Sequence, residues 1–386
     1  MTFAQSPPGL TGAVFRRDLL ADMGRCAYPP GFVMSYKPDA PQMDLAFKSC
    51  CFTAAAAVRH ASGRLIVDTD RAWERAAACI EAGRDGSAED VCSWLLARES
   101  TEVPAVPREV EIELTTEDAL AGSMLRPRGA EVGQRGPMAL ETVGAIGRAM
   151  AAYDDGLVVL GGFGDPLRHP LFAKVLGILT GAGVYGVAVR TNGVGLDEAT
   201  IECLIDHEVD VLCVTLDAWS EELYRRVNGR DGLGRVRECL DRLAERKQAR
   251  GSVAPLVVPE MIKSVDTVGE IDAFYDGWVR SVGCANIEGY SHFAGQRADR
   301  SVMNMCPPTR RRCLRIGTRV TVLADGRVLR CDQDFRGEFP VGRLEGGASL
   351  EGFWRGEAMS RVRSCHAAGR FDEEPLCGGC EEWHRP

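Results

Sequence analysis

From about Arg108 to Tyr290, apolar runs of strand length alternate with longer segments of helical period. The runs Val110–Leu114, Leu157–Gly161, Val184–Arg190, Val209–Leu216, Pro255–Pro259 and Cys284–Ile287 predict strands. Between them, Met138–Tyr153, Leu171–Ala182, Asp197–His207, Leu233–Gln248 and Val268–Arg280 predict helices. Continuous apolar strands separated by helices imply a parallel sheet covered on one or both faces. About six such units predict an α/β partial barrel, a (β/α)6 relative of the TIM barrel. In folds of this kind the chemistry sits in the loops that follow the strands.

The flanks read differently. In the first hundred residues, two proline-containing loops precede an alanine-rich helix near Phe52–His60 and a short strand Leu65-Ile66-Val67. A helix is predicted over Arg71–Ala82. Another starts after Ser87, with Asp90 completing a capping-box pattern, and runs to Arg98. Near the other end, Val320 to Arg330 predicts a hairpin, with Asp325-Gly326 as a type I′ turn.

Composition narrows the classes. A chain of 386 residues with 45% hydrophobic residues has room for two or three domains. The net charge of −9 argues against a nucleic-acid partner. No segment reads as a secretion signal and no apolar run is long enough to span a bilayer, so no membrane partner is expected. Fifteen cysteines in a chain of the reducing cytosol point to metal rather than disulfides. Cys203, Cys213, Cys239 and Cys284 lie within apolar patterns and read as small buried hydrophobes.

Two constellations carry candidate chemistry. The second strand ends in Gly161-Gly162-Phe163-Gly164-Asp165, the third in Thr191-Asn192-Gly193 and the fourth in Thr215-Leu216-Asp217. The glycines would let a ligand approach the backbone, and Asp165 could accept from an ammonium. In the tail, Cys313 and Cys331 are separated by seventeen residues, and Cys377-Gly-Gly-Cys380 follows. Glycines let backbone wrap a metal centre, and four thiolates suit a [4Fe–4S] cluster or a structural Zn²⁺; spacing alone does not decide. Cys306, Cys365 and His366 offer a possible second metal site, with uncoordinated neighbours as the alternative. Trp383 is expected to cover the four-cysteine site. Asp332 and Asp334 read as groups aimed at the barrel mouth or as solvated turn acids. The run Arg310-Arg311-Arg312 reads as a solvated stretch or as charge compensation beside a thiolate cluster.

The order Gly-Gly-x-Gly-Asp-Pro-Leu, Thr-Asn-Gly, Thr-Leu-Asp and then a cysteine-bearing extension resembles the radical S-adenosylmethionine (SAM) superfamily. The resemblance implies that Gly161, Gly162, Gly164 and Asp165 match a motif that binds the amino group of SAM, with Asp for the usual Glu. It implies Thr191, Asn192, Thr215 and Asp217 as further cofactor contacts. The tail resembles a Twitch or SPASM extension, which favours one auxiliary [4Fe–4S] cluster on Cys313, Cys331, Cys377 and Cys380. Ser349–Gly356 matches the helix such an extension carries. The implied domains are a mainly helical or winged-helix-like module over 1–105, a radical SAM-like barrel over 106–300 and the cluster domain over 301–386.

One departure stands out. The superfamily carries Cys-x3-Cys-x2-Cys after the first strand, yet Leu114 to Pro127 contains no cysteine. Asp118, Gly122 and Leu125 fall about where the three ligands would be. Three readings follow. The first is a binding partner or pseudoenzyme that keeps the auxiliary cluster and handles a peptide or small-molecule intermediate, with a catalytic partner protein. The second is an enzyme that uses the pocket for SAM or another small molecule by a non-standard mechanism. In the third, Cys26, Cys50 or Cys51 rebuild a cluster.

Overall fold

The computed structural model describes residues 55–61, 64–84, 86–99, 103–120, 122–304 and 306–385. The chain forms two compact units, Met1–Val103 and Pro104–Pro386. Cys26, Cys50 and Cys51 lie outside the described residues.

In the first unit, α1 (Ala56–His60), α2 (Asp70–Glu81) and α3 (Ala88–Glu99) are described. Thr69 caps α2 by accepting from the Ala72 amide at 3.3 Å. Ser87 accepts from the Asp90 amide at 3.1 Å and donates to its carboxylate at 2.9 Å, the expected capping pair. Val58, Cys79, Val91, Cys92 and Leu95 form the small core. Leu65-Ile66-Val67, expected as a strand, is irregular. No strand among the described residues of this unit is there to pair with it, and a lone strand leaves its backbone groups without a ladder.

The second unit is built on one nine-stranded sheet. In chain order its elements are β1 (Glu109–Glu113), α4 (Leu140–Ala151), β2 (Leu157–Gly161), α5 (Phe172–Ala182), β3 (Gly186–Thr191), α6 (Glu198–Asp206) and β4 (Val211–Thr215). Then come α7 (Glu221–Asn228), α8 (Leu233–Arg250), β5 (Leu256–Lys263), α9 (Ile271–Val282) and β6 (Asn286–Gly289). The C-terminal stretch adds α10 (Arg315–Thr318), β7 (Arg319–Val322), β8 (Arg327–Leu329), β9 (Pro340–Arg343), α11 (Leu350–Arg355) and α12 (Glu357–Ala367). The spatial order is β6-β5-β4-β3-β2-β1-β7-β8-β9. The first six strands run parallel in sequence order, β7 adds in parallel to the free edge of β1, and β8 and β9 continue antiparallel.

One face of the sheet is apolar and lies under the helices. Val110, Ile112, Val158, Leu160, Val189 and Leu212 are buried there with Ile146, Met150, Val175 and Leu179. The opposite face is charged. Arg190 pairs with Glu260 at 3.2 Å and with Glu288 at 3.0 Å. Alternation along parallel strands therefore marks a sheet covered by helices on one side only.

Three local features depart from the sequence expectation. The polar segment Glu221–Asn228 is a helix, capped by Ser220 accepting from the Leu223 amide, with Leu223, Tyr224 and Val227 buried. Cys313 does not open a strand: it precedes the short helix α10, and the strand starts at Arg319. The hairpin between β7 and β8 is not type I′. Gly326 N–H donates to the Leu323 carbonyl at 2.8 Å, Leu323 N–H to the Arg327 carbonyl at 2.9 Å, and within the turn only Gly326 has positive φ, +85°. A three-residue loop with a left-handed glycine at its end accommodates the one residue more than a two-residue turn holds.

The loop after β2 packs directly on the end of β1. A Cβ on Gly164 would lie 2.1 Å from the Thr115 carbonyl oxygen and 2.7 Å from the Thr116 Cα. Gly164→Ala should therefore cost about 3 kcal/mol of folding stability or prevent folding. Gly181, in α5 with open space at its Cβ position, is the control. Gly181→Ala should gain up to about 1 kcal/mol. Urea unfolding midpoints of the two variants check this; a Gly164→Ala protein of wild-type stability would contradict the packing.

Candidate functional site

The expected rim residues come together at the C-terminal ends of β2, β3 and β4. Asp165 is the centre. Its carboxylate accepts from the Leu167 amide at 2.9 Å and the Asn192 amide at 3.0 Å, and from the Thr191 hydroxyl at 3.0 and 2.8 Å. Thr215 in turn donates to the Thr191 carbonyl at 3.3 Å. Asp217, held at φ +57°, accepts from the Ile262 amide at 2.8 Å and from Arg126 at 3.0 and 3.1 Å.

Both oxygens of Asp165 accept from protein donors, so its carboxylate ties β2 to β3. The glycines of the loop admit close approach of the chain itself. A Cβ on Gly162, at φ +79°, would lie 2.7 Å from the Cβ of Glu113.

The cysteine-free loop after β1 is stitched into the same rim. Asp118 accepts from the Leu120 amide at 2.6 Å and from the Asn192 side-chain amide at 2.8 Å. Arg128 pairs with it at 2.8 Å through Nε. Nη1 of the same guanidinium donates to the Gly162 carbonyl at 3.1 Å. Leu125 is buried in the apolar core. Sequence reasoning marked Arg126-Pro127 only as a flank of the loop and passed over Arg128, directly after it. Against this rim, a cavity of about 900 Å³ opens beside Glu117, Asp118, Gly133, Arg168, Val194 and Arg230.

Burial pushes the Asp165 carboxyl up to about 6, with the Asp118 charge adding to the effect. Among the inner-face charges, burial and then Asp332 also raise Glu111.

The four cysteines of the tail form the second constellation. Cys313 precedes α10, Cys331 follows β8, and Cys377 and Cys380 sit in the last loop, where the Cys380 amide donates to the Cys377 carbonyl at 3.2 Å. All four line one cavity, together with Arg310, Arg315, Arg330, His366, Glu382 and Trp383. Burial raises every one of these thiols: Cys313, Cys331 well above the usual range, Cys377 to about 11 and Cys380 to about 12. Metal uptake there would have to displace thiol protons.

The wall is rich in donors. Arg310 gives Nη1 to the Gly378 carbonyl at 3.0 Å and Nη2 to the Cys377 carbonyl. Arg315 holds Asp332 at 2.7 and 3.0 Å. The Nε atoms of both arginines and the Nε2 atom of His366 are buried without a partner. Four thiols, three arginines and unpartnered N–H groups around one space fit an anionic iron–sulfur cluster.

Other expectations sort as follows. Trp383 lies in the cavity wall, and its Nε1 donates to Cys306 Sγ at 3.1 Å. Cys365 Sγ lies 3.8 Å from Glu373, and His366 Nδ1 accepts from the Cys313 amide, so Cys306, Cys365 and His366 make separate contacts. Asp334 is a turn acid, accepting from the Glu338 and Phe339 amides at 2.9 and 2.8 Å. Arg310, from the basic run, faces the thiols. Gly378 and Gly379 meet Asp372 and Ala294, so their missing side chains relieve contacts within the loop's surroundings.

Comparison with known proteins matches these two constellations. A radical SAM superfamily model matches residues 126–268, and an iron–sulfur cluster-binding domain model, SPASM, matches 313–381. The chain carries a radical SAM domain and a SPASM domain. A protein of Treponema pallidum (strain Nichols), described only as "Uncharacterized protein", is 26% identical over 314 residues, 78% of this chain and 85% of that one. The Streptococcus suis protein SuiB, solved bound to its precursor peptide SuiA, superposes with a TM-score of 0.52 at 11% identity, over 76% of this chain and 80% of SuiB. Native anSMEcpe with bound AdoMet gives a TM-score of 0.52 at 12% identity, over 67% of this chain and 83% of its own. At these identities the two structures bear on the fold. The radical SAM match begins at Arg126, just after the cysteine-free loop.

Asp165 gives a pH prediction. Its folded pKa stands above the unfolded value, so ionisation is resisted in the folded state. The cost is absent below pH 3.8 and grows as the pH rises through 6. Relative to Asp165→Asn, the wild-type protein should lose about 2–3 kcal/mol of stability between pH 4 and 7. Paired denaturation curves across that range check the sign; a wild-type gain would reverse it.

Proposed function

We propose that this radical SAM family chain has lost the usual SAM cluster and keeps one auxiliary [4Fe–4S] cluster on Cys313, Cys331, Cys377 and Cys380. It acts as a binding partner or pseudoenzyme in peptide or natural-product modification, presenting a peptide or small-molecule intermediate to a catalytic partner protein. The observation that carries the reading is Asp118, which stands about where the first cluster ligand would be and is held by Arg128 and Asn192. The Arg128 guanidinium on the Gly162 carbonyl places the chain's own cation at the loop that would receive the ammonium of SAM. The peptide bound to SuiB supports a peptide as the ligand class.

A second reading is an enzyme that binds SAM or another small molecule without a SAM cluster. The cavity of about 900 Å³ beside the β1 loop favours it.

Iron analysis and turnover separate these readings. Protein purified without oxygen should hold about four irons per chain, and Cys377→Ala/Cys380→Ala should lose them. With SAM and dithionite it should make no 5′-deoxyadenosine, and calorimetry should find no SAM binding. SAM binding without 5′-deoxyadenosine would move the second reading forward. About eight irons, half of them surviving in the double variant, would overturn the lost-cluster reading.

A further inference from the structure

We infer that His366 donates a hydrogen bond from Nε2 to the auxiliary cluster and thereby sets its reduction potential. The inference rests on the reading of the four tail cysteines as cluster ligands. His366 lies in the last turn of α12 and is 3% exposed. Its Nδ1 accepts from the Cys313 amide at 3.2 Å. A ring nitrogen that accepts a hydrogen bond carries no proton, so the proton of the neutral ring is on Nε2. Phe371 packs edge-on against the ring with centroids 5.1 Å apart, which fixes its direction.

The Nε2–H therefore has one orientation, in the wall of the cavity that the four thiols line, and it has no protein acceptor. A buried donor left without an acceptor is costly. The thiolates and sulfides of a cluster are the acceptors this cavity would hold. His366 is not assigned as a fifth ligand: four thiols complete the set, Nδ1 is taken by the Cys313 amide and Nε2 bears a proton.

Arg310 and Arg315 present Nε–H groups to the same cavity, with their outer nitrogens tied to the Gly378 and Cys377 carbonyls and to Asp332. They bring charge as well as hydrogen bonds. The neutral imidazole brings only the hydrogen bond, so its replacement isolates that contribution. Donors to cluster sulfur favour the reduced, more negative state and raise the potential.

The test uses the full chain purified without oxygen, as wild type, His366→Gln and His366→Phe. Iron content, an EPR-monitored redox titration and the exchangeable-proton couplings of the reduced cluster are measured for each. The inference expects wild-type iron in all three. In His366→Phe the oxidised-to-reduced ratio should shift about tenfold towards oxidised, equivalent to about 59 mV for one electron. One exchangeable coupling should vanish in His366→Phe, and His366→Gln, which retains an N–H donor, should recover part of the shift. Unchanged potential and couplings in an iron-replete His366→Phe would overturn the inference. So would iron loss in both variants, which would make His366 a ligand or a purely structural group. If only His366→Phe loses iron, an intermediate potential in His366→Gln supports the inference and a wild-type potential overturns it. Wild-type protein that binds zinc and no iron would instead refute the cluster reading itself.

Discussion

The arrangement depends on β1 having a parallel partner on each edge. On one side it pairs with β2, Glu111 opposite Val159; on the other with β7, Glu111 opposite Thr321. The same carboxylate accepts from the Gly162 amide at 3.2 Å and from the Thr321 hydroxyl at 3.3 Å. One half-buried side chain thus joins the barrel loop to the C-terminal extension. Because β7 leads through one hairpin to Cys331, this pairing mounts the four-cysteine site on the edge of the barrel sheet rather than on a tether. The helix that follows is anchored as well: Trp354 Nε1 donates to the Pro104 carbonyl at 2.9 Å, and the Arg363 guanidinium lies 4.1 Å from the indole centroid.

At the C-terminal end of β1 the proposed reading amounts to charge replacement. An iron–sulfur cluster with SAM would bring thiolates and an ammonium to the rim. Here a carboxylate, Asp118, and a guanidinium, Arg128, stand beside each other, and Asn192 and the Gly162 carbonyl complete their hydrogen bonding. A buried pair is tolerated only when its remaining lone pairs and protons are satisfied, and the arrangement meets much of that requirement. Arg126 does the same for Asp217 and reaches to 3.6 Å from Glu288.

The strands and most helices of the second unit were legible because their apolar positions repeat at strand or helix period over whole elements. Glu221–Asn228 was missed because its surface is almost entirely charged; the legible signal was Ser220 followed by Leu223, Tyr224 and Val227. Leu65-Ile66-Val67 misled because residue preference for strand cannot supply a partner strand. At the rim, a motif gives residue types but not their partners: Asp165 stands where the pattern put it, yet Thr191 and Asn192 take its oxygens. In the tail the four cysteines were visible from spacing. Of the donors around them, the basic run pointed to Arg310, whereas Arg315, Arg330 and the contact of His366 with Cys313 were not legible, since His366 meets Cys313 across fifty-three positions of chain.

The two sites differ in what their walls leave unsatisfied, and that difference carries a functional argument. At the rim, the carboxylates of Asp118, Asp165 and Asp217 have found hydrogen-bond donors within the protein, although burial and the Asp118 charge still hold the Asp165 carboxyl up. In the tail, four thiols are held above their ordinary pKa by burial, three donors lack acceptors, and Arg310, Arg315 and Arg330 face the same space. The thiols would give up their protons on binding a metal centre. This contrast supports the proposed reading, in which the extension holds the auxiliary cluster.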